Sequence, residues 1–126
     1  MQIPRLPDAE FTVMKTVWQH GGEVTSADVM KDLTGKKDWA VTTVLNLLAR
    51  LADRSFVSIT KSGKTNTYTA QISEEAYLEA ESKSFLERVH GNSLKSFIAA
   101  LYGGKTLAPR EIEELKSYIE EKAGDT

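Results

Sequence analysis

The 126 residues of the chain suffice for one ordinary domain or for two small units that share a core, which argues against a multi-domain enzyme. Hydrophobic residues make up 40% and charged residues 27% of the sequence, a balance typical of a folded protein, and the formal net charge is −2. Because the chain has no Cys, disulfides, thiolate nucleophiles and Cys-based metal sites are excluded.

Two short helices are predicted in the first 35 residues. Asp8 is expected to cap the first helix, which ends near Gly21. The apolar stripe of this helix consists of Phe11, Met14, Val17 and Trp18. The segment Thr25-Ser26-Ala27-Asp28 has the form of a capping box and predicts a second helix that ends at Gly35. The residues of the second helix expected to face inward are Val29, Met30 and Leu33.

A longer third helix is predicted from Ala40 to Arg54 because its apolar residues recur at helical spacing. The face expected to be buried consists of Val41, Val44, Leu47, Leu48 and Leu51. The opposite face carries Thr42, Thr43, Asn46, Arg50 and Asp53. Such a helix is held against the domain by one side and presents short polar side chains on the other.

After the third helix the hydrophobic period changes to the alternation typical of β-strands. Residues 56–70 predict a β-hairpin that turns at Ser62-Gly63-Lys64. The sequence changes character again after Ile72, which predicts two domains, residues 1–72 and 73–126.

Three further helices are predicted after the hairpin. Ser73 is expected to cap the first of them, and Gly91-Asn92 separates it from the second. Gly103-Gly104 ends the second helix, and Pro109 starts the third. All three carry apolar residues at helical spacing, so the second domain is expected to be helical throughout.

The charge is divided unevenly along the chain. Residues 36–64 contain six basic and two acidic side chains, a net charge of +4, whereas residues 73–126 contain seven basic and eleven acidic ones, a net charge of −4. This asymmetry favours a polyanion-binding N-terminal half. Ordinary variation of surface charge is the alternative explanation.

Three helices followed by a hairpin within residues 1–72 are the organisation of a winged helix-turn-helix, whose third helix enters the DNA major groove. The fold class predicted is therefore mostly α with a small β-hairpin wing, followed by a helical C-terminal domain. The side chains expected to contact DNA are Thr42, Thr43, Asn46, Arg50, Lys37, Lys61 and Lys64. Thr and Asn suit base edges, and the cations suit phosphates. For any one of these side chains, plain solvent exposure is the competing interpretation.

Motifs spread over nearly the whole chain also carry a family resemblance. They are the segment Leu6–Phe11 with Met14 and Val17-Trp18, the segment Lys37–Ala40 with Thr43, Leu48, Arg50 and Leu51, the segment Arg54–Val57, and the segment Glu111–Leu115. In these motifs the chain resembles the BlaI/MecI family of bacterial transcriptional repressors, the penicillinase-repressor group.

The resemblance implies a homodimer whose C-terminal helices intertwine and whose two winged-helix heads bind double-stranded operator DNA at a palindrome, typically with TACA/TGTA-like half-sites. The C-terminal domain is too small to bury its own apolar residues well, so pairing with a second copy is economical. The residues expected at the dimer interface are Leu78, Phe85, Leu94, Phe97, Ile98, Leu101, Ile112, Leu115 and Ile119. Packing of these residues against the chain's own N-terminal domain is the alternative.

The chain departs from the family pattern at several positions. In beta-lactam-responsive members a membrane-bound sensor protease cuts the dimerisation region between Asn and Phe, and Ala100 and Leu101 stand at that bond here. The resemblance thus implies a cleavage region and a sensor protease as partner, although the different side chains argue against antibiotic sensing. Without Cys, the chain also lacks the motifs of copper-sensing relatives. Family members often have Lys or Arg where Thr42 and Leu45 stand, which implies a different operator.

Other classes of function find less support in the sequence. His20 and His90 lie seventy positions apart, and no nucleophile–base arrangement or phosphate-binding glycine loop is recognisable, so no enzyme and no cofactor are expected. A winged helix that binds protein instead of DNA is the remaining alternative. No segment approaches the roughly 18 apolar residues of a membrane span, so a cytoplasmic protein without membrane insertion is expected.

Overall fold

The computed structural model describes residues 2–124, which form six helices and three strands. In chain order they are α1 (Asp8–Gln19), β1 (Glu23–Thr25), α2 (Ser26–Leu33), α3 (Val41–Asp53), β2 (Val57–Ser62), β3 (Thr65–Ala70), α4 (Glu74–His90), α5 (Leu94–Tyr102) and α6 (Pro109–Gly124). The chain divides into two compact units, Met1–Ser82 and Lys83–Thr126. The predicted fold class, mostly helical with a small hairpin wing, is confirmed.

The sheet has three antiparallel strands in the order β1-β3-β2. Tyr68 of β3 lies between Val24 of β1 and Ile59 of β2. The hairpin of β2 and β3 was expected from the sequence, but β1 was not, because three residues are too few to show a strand period. The chain enters β1 through Gly22, whose φ of +97° favours glycine and whose carbonyl accepts a hydrogen bond from the Ala70 amide.

The hydrophobic core lies in the first unit, between α1, α2, α3 and the sheet. Its largest fully buried side chains are Phe56, Met14, Leu48, Leu51, Val13, Val17, Val24, Val29 and Val44. The helical spacing seen in the sequence thus buries one face of each of the three helices, as predicted for all but a few positions.

The first turns of α4 also belong to this core. Tyr77 is 3% exposed, and its hydroxyl accepts a hydrogen bond of 2.9 Å from the Leu6 amide. The Tyr77 ring stacks on Phe11 at a centroid distance of 5.5 Å and meets Trp18 at 5.7 Å. The first compact unit therefore ends at Ser82, ten residues beyond the change of sequence character at Ile72.

The start of α1 differs from the expectation. Asp8 does not cap the helix, because it is already the first helical residue, and the capping position is Pro7, which makes no side-chain hydrogen bond. The Asp8 carboxylate still lies in the first turn, where the positive end of the helix dipole favours negative charge.

The start of α2 confirms the predicted capping box. The hydroxyl of Thr25 accepts a hydrogen bond from the Asp28 amide at 3.2 Å, and the Asp28 carboxylate accepts one from the Thr25 amide at 2.9 Å. The second of these bonds, reinforced by the Thr25 hydroxyl, lowers the pKa of the Asp28 carboxyl. Two of the backbone donors that lack an intrahelical acceptor at this helix end are thereby satisfied.

We expect Thr25→Ala to lower the free energy of unfolding by about 1 kcal/mol, because it leaves the Asp28 amide without its capping acceptor.

Asp28→Asn tests the second half of the capping box, the hydrogen bond from the Thr25 amide to the Asp28 carboxylate. Because the folded-state pKa of Asp28 is lowered, its stabilisation is complete above the unfolded-state pKa and is lost as the pH falls through the folded-state pKa. Urea unfolding at several pH values should therefore show the stability gap between Asp28→Asn and the natural chain narrowing in acid; a pH-independent gap would contradict this role.

The second unit has a different character. No described residue of α5 or α6 is buried. Phe85 and Phe97 pack edge to face at 5.9 Å, and His90 contacts both rings. Tyr102 donates a 2.7 Å hydrogen bond to Glu111, which raises the pKa of the phenol. Within residues 2–124, no helix is both long and apolar enough to cross a membrane.

Candidate nucleic-acid interface

Helix α3 is fixed by its buried face. Val44, Leu48 and Leu51 are fully buried, and Leu47 is 5% exposed. The helix contacts α1, α2 and β2. Its remaining surface is therefore held at a fixed position on the first unit, which is what a recognition helix requires.

A polar stripe runs along the exposed side of α3 and consists of Thr42, Asn46 and Arg50. All three side chains are exposed, and their spacing of four residues places them on neighbouring turns. Thr43 lies at the edge of this stripe and is half-buried. The structure thus brings the four predicted residues of α3 onto one accessible surface.

Beside the polar stripe lies an apolar stripe, which consists of Val41, Leu45 and Ala49. Val41 is 51% and Leu45 39% exposed, and Ala49 is exposed as well. The expectation that Val41 belongs to the buried face is wrong. Leu48, seven residues later and therefore at nearly the same helical angle, is fully buried, so the exposure of Val41 arises from its position as the first residue of the helix.

The three predicted lysines are also exposed on the first unit. Lys61 lies on β2 opposite Asn66, and Lys64 lies in the hairpin turn, directly after Gly63. The ammonium of Lys37 lies 5.7 Å from the centroid of the half-buried Trp39 ring. Both side chains line a cleft of about 210 Å³ just before α3.

Sequence reasoning missed an ion pair that holds the end of α3. The Nε of Arg54, directly after the helix, lies 2.7 Å from the Oε1 of Glu10 in α1. The Glu10 side chain is 3% exposed, whereas that of Arg54 is 40% exposed. The two residues are 44 positions apart, so no local pattern indicates the pair.

The histidines have ordinary partners in the structure. His20 pairs with Asp32, and the Nδ1 of His90 lies 3.0 Å from the hydroxyl of Ser96. Within the described part of the chain, no group of three or more His, Asp or Glu side chains is arranged to hold a metal ion.

Sequence comparison relates nearly the whole chain to known repressors. The family model described as penicillinase repressor matches residues 6–121. The penicillinase repressor of Bacillus licheniformis is 33% identical over 120 residues, which cover 95% of this chain and 93% of that protein. The methicillin resistance regulatory protein MecI of Staphylococcus aureus strain N315 is 25% identical over 117 residues, which cover 93% of this chain and 94% of that protein.

Solved structures agree with this relation. The solution structure of the DNA-binding domain of the repressor BlaI is 33% identical, covers 61% of this chain and 94% of that domain, and has a TM-score of 0.52. BpsR of Bordetella bronchiseptica, 20% identical, covers 97% of this chain and 84% of its own with a TM-score of 0.52, a similarity of fold alone. The chain thus belongs to the penicillinase repressor family, whose members are DNA-binding transcriptional repressors and not enzymes.

Proposed function

We propose that the chain represses transcription as a homodimer bound to palindromic operators with TACA/TGTA-like half-sites. Residues 1–72 bind the DNA, and residues 73–126 carry the dimer interface, although the first turns of α4 also pack in the core of the first unit. The observation that carries the proposal is the polar stripe of α3, which is exposed along its length while the opposite face of the same helix is buried. A helix in this arrangement presents hydrogen-bonding groups to base edges without unfolding the domain.

Each predicted side chain has a role in this proposal. Thr42, Thr43 and Asn46 contact base edges in the major groove, and Arg50 contacts a phosphate. The lysines contact the DNA backbone from the loop before α3 and from the hairpin tip. Support comes from BlaI of Bacillus licheniformis, 33% identical over 60% of this chain with a TM-score of 0.50, whose monomeric form was solved in complex with the blaP half-operator.

The dimer is supported by the exposed apolar residues of the second unit. Leu94, Leu101, Ile112, Leu115 and Ile119 are between 37% and 62% exposed in the single chain. Helices α5 and α6 have no buried residue among those described, so a single copy leaves their apolar stripes in water. With two-fold symmetry, the two α3 helices meet half-sites that lie about one DNA turn, ~34 Å, or a multiple of it apart.

The proposal is tested by a footprint of the purified protein on DNA upstream of its own gene, with excess nonspecific competitor and titrated salt. We expect two protected half-sites in a palindrome, and we expect Asn46→Ala to lose discrimination between bases at one position of each half-site. Uniform, salt-labile protection or none would contradict the proposal. The alternative of a protein-binding winged helix would then take its place.

Arg50→Ala is expected to behave differently from Asn46→Ala. A phosphate contact contributes counterion release without distinguishing bases, so the variant should weaken binding to all sequences about equally. A plot of the logarithm of the binding constant against the logarithm of salt concentration should become less steep, with a slope smaller in magnitude by about 1. Fluorescence anisotropy with operator and scrambled duplexes measures both effects; a loss confined to one base pair would assign Arg50 to the bases instead.

We further propose that cleavage at Ala100–Leu101 relieves repression. Ala100 is exposed in the last turn of α5, directly before the interface residue Leu101, and Gly103 follows with a positive φ. Cutting there separates α6 from the rest of the chain and removes one of the helices assigned to the dimer. Mass spectrometry of the protein recovered from induced cells tests this step; an intact chain under full derepression would rule it out.

A further inference from the structure

The apolar stripe of α3 has no role in the function proposed so far. Val41 and Leu45 are one helical turn apart and rank among the exposed large hydrophobic residues of the chain. Single exposed aliphatic residues are common on protein surfaces. These two, however, lie in the first two turns of the helix and directly beside Thr42 and Asn46, so an occupant that meets one stripe also meets the other.

We propose that Val41 and Leu45 determine specificity by packing against thymine C5-methyl groups in the major groove. This inference rests on the proposed function. The C5-methyl of thymine is the apolar group in the pattern that base edges present in that groove, and aliphatic side chains contact it. The first turns of a recognition helix are the part that approaches base edges, and both residues lie there.

The charge around the stripe favours DNA over an apolar protein partner as its occupant. Residues 36–64, which contain the whole of α3, carry a net charge of +4. Arg50 continues the neighbouring polar stripe, and Lys37 lies in the loop before the helix. Two aliphatic side chains surrounded by positive charge are complementary to DNA, whose major groove presents thymine methyl groups between two phosphate backbones.

The size of the effect follows from the area of one methyl group. Burying one methyl group against an aliphatic side chain corresponds to about a fourfold gain in affinity. Uracil lacks the methyl group and keeps every hydrogen-bonding group of thymine, so exchanging the two bases isolates this contact. Truncating the side chain to Ala removes the same contact from the protein side, and Ala is well tolerated in a helix.

The experiment uses synthetic duplexes of the footprinted operator in which single thymines are replaced by uracil. The full-length natural chain, Val41→Ala, Leu45→Ala and the control Asn46→Ala are titrated against each duplex. For the natural chain we expect uracil to lower the affinity about fourfold at one or two positions of each half-site. At one of these positions, Leu45→Ala or Val41→Ala should bind the thymine and uracil duplexes with about equal affinity. Asn46→Ala should bind both duplexes more weakly and keep the preference for thymine.

The outcomes separate this inference from the proposed function. Sequence-specific binding by the natural chain that is insensitive to uracil at every thymine would overturn the inference and leave the repressor proposal standing. If uracil lowered the affinity of both Ala variants as much as that of the natural chain, the inference would be overturned too, since the methyl contact would then belong to other residues. The absence of any sequence-specific binding would overturn both. Unchanged unfolding temperatures of the variants establish that the exposed positions were altered without disturbing the fold.

Discussion

Replacing Leu115 and Ile119 of α6 together by Asp should convert the proposed dimer to a monomer and lower the affinity for a full palindromic operator about a hundredfold or more. The two side chains are 37% and 47% exposed in the single chain and form one stripe of α6. Pairing with a second copy would bury both carboxylates without partners, at a cost that exceeds the apolar gain. The loss of affinity follows because two linked heads rebind at a high effective concentration, whereas a free head does not.

Two measurements check this prediction. Sedimentation should show the monomer mass, and the affinity for an isolated half-site should be unchanged because α3 is untouched. Ser117→Asp is the control, since it adds one Asp carboxylate on the opposite side of α6 and should leave the proposed dimer intact. An intact dimer in the double variant would remove Leu115 and Ile119 from the interface.

Arg54→Ala should lower the free energy of unfolding of the first unit by about 2 kcal/mol. The variant leaves the Glu10 carboxylate, 3% exposed, without the guanidinium that lies 2.7 Å away. A buried charge without a partner is destabilising to a larger extent than the pair is stabilising. Arg54 itself is 40% exposed, so water reaches one side of the pair and the effect stays below that of a fully buried one.

The control is the exposed pair of Arg110 and Glu114 on α6, whose Nε and Oε1 are 3.0 Å apart. Both side chains are mostly exposed, so Arg110→Ala should cost less than about 0.5 kcal/mol. Urea unfolding followed by circular dichroism compares the two variants. Glu10→Leu combined with Arg54→Ala should recover part of the lost stability, because no buried charge then remains. If Arg54→Ala and Arg110→Ala lowered the free energy of unfolding equally, the burial of Glu10 would not contribute to the effect of losing its partner.

The parts of the fold that the sequence predicts are those governed by near neighbours in the chain. The capping box of α2 depends on two residues three positions apart, and the buried face of α3 depends on spacings of three and four. Strand β1 depends instead on its distant partner β3, and the Glu10–Arg54 pair joins residues 44 positions apart. Long-range contacts of this kind leave no local pattern in the sequence.

The candidate site shows the same division. The polar stripe follows from a four-residue spacing, so Thr42, Asn46 and Arg50 were predicted together. Val41 was assigned to the core because apolar residues at helical spacing are usually buried, and the sequence does not state where neighbouring elements stop covering a helix. Only the structure shows that coverage begins at Val44 and that the first turn of α3 is open.

The two Trp residues of the chain occupy contrasting environments. Trp18 donates a hydrogen bond of 2.9 Å to the Ile72 carbonyl and packs on Tyr77, so its emission reports on the integrity of the first unit. Trp39 lies under the Lys37 ammonium beside α3. A phosphate that draws this cation away changes the electric field at the indole. Intrinsic fluorescence of the natural chain and of Trp39→Phe therefore distinguishes DNA binding from unfolding without any attached label.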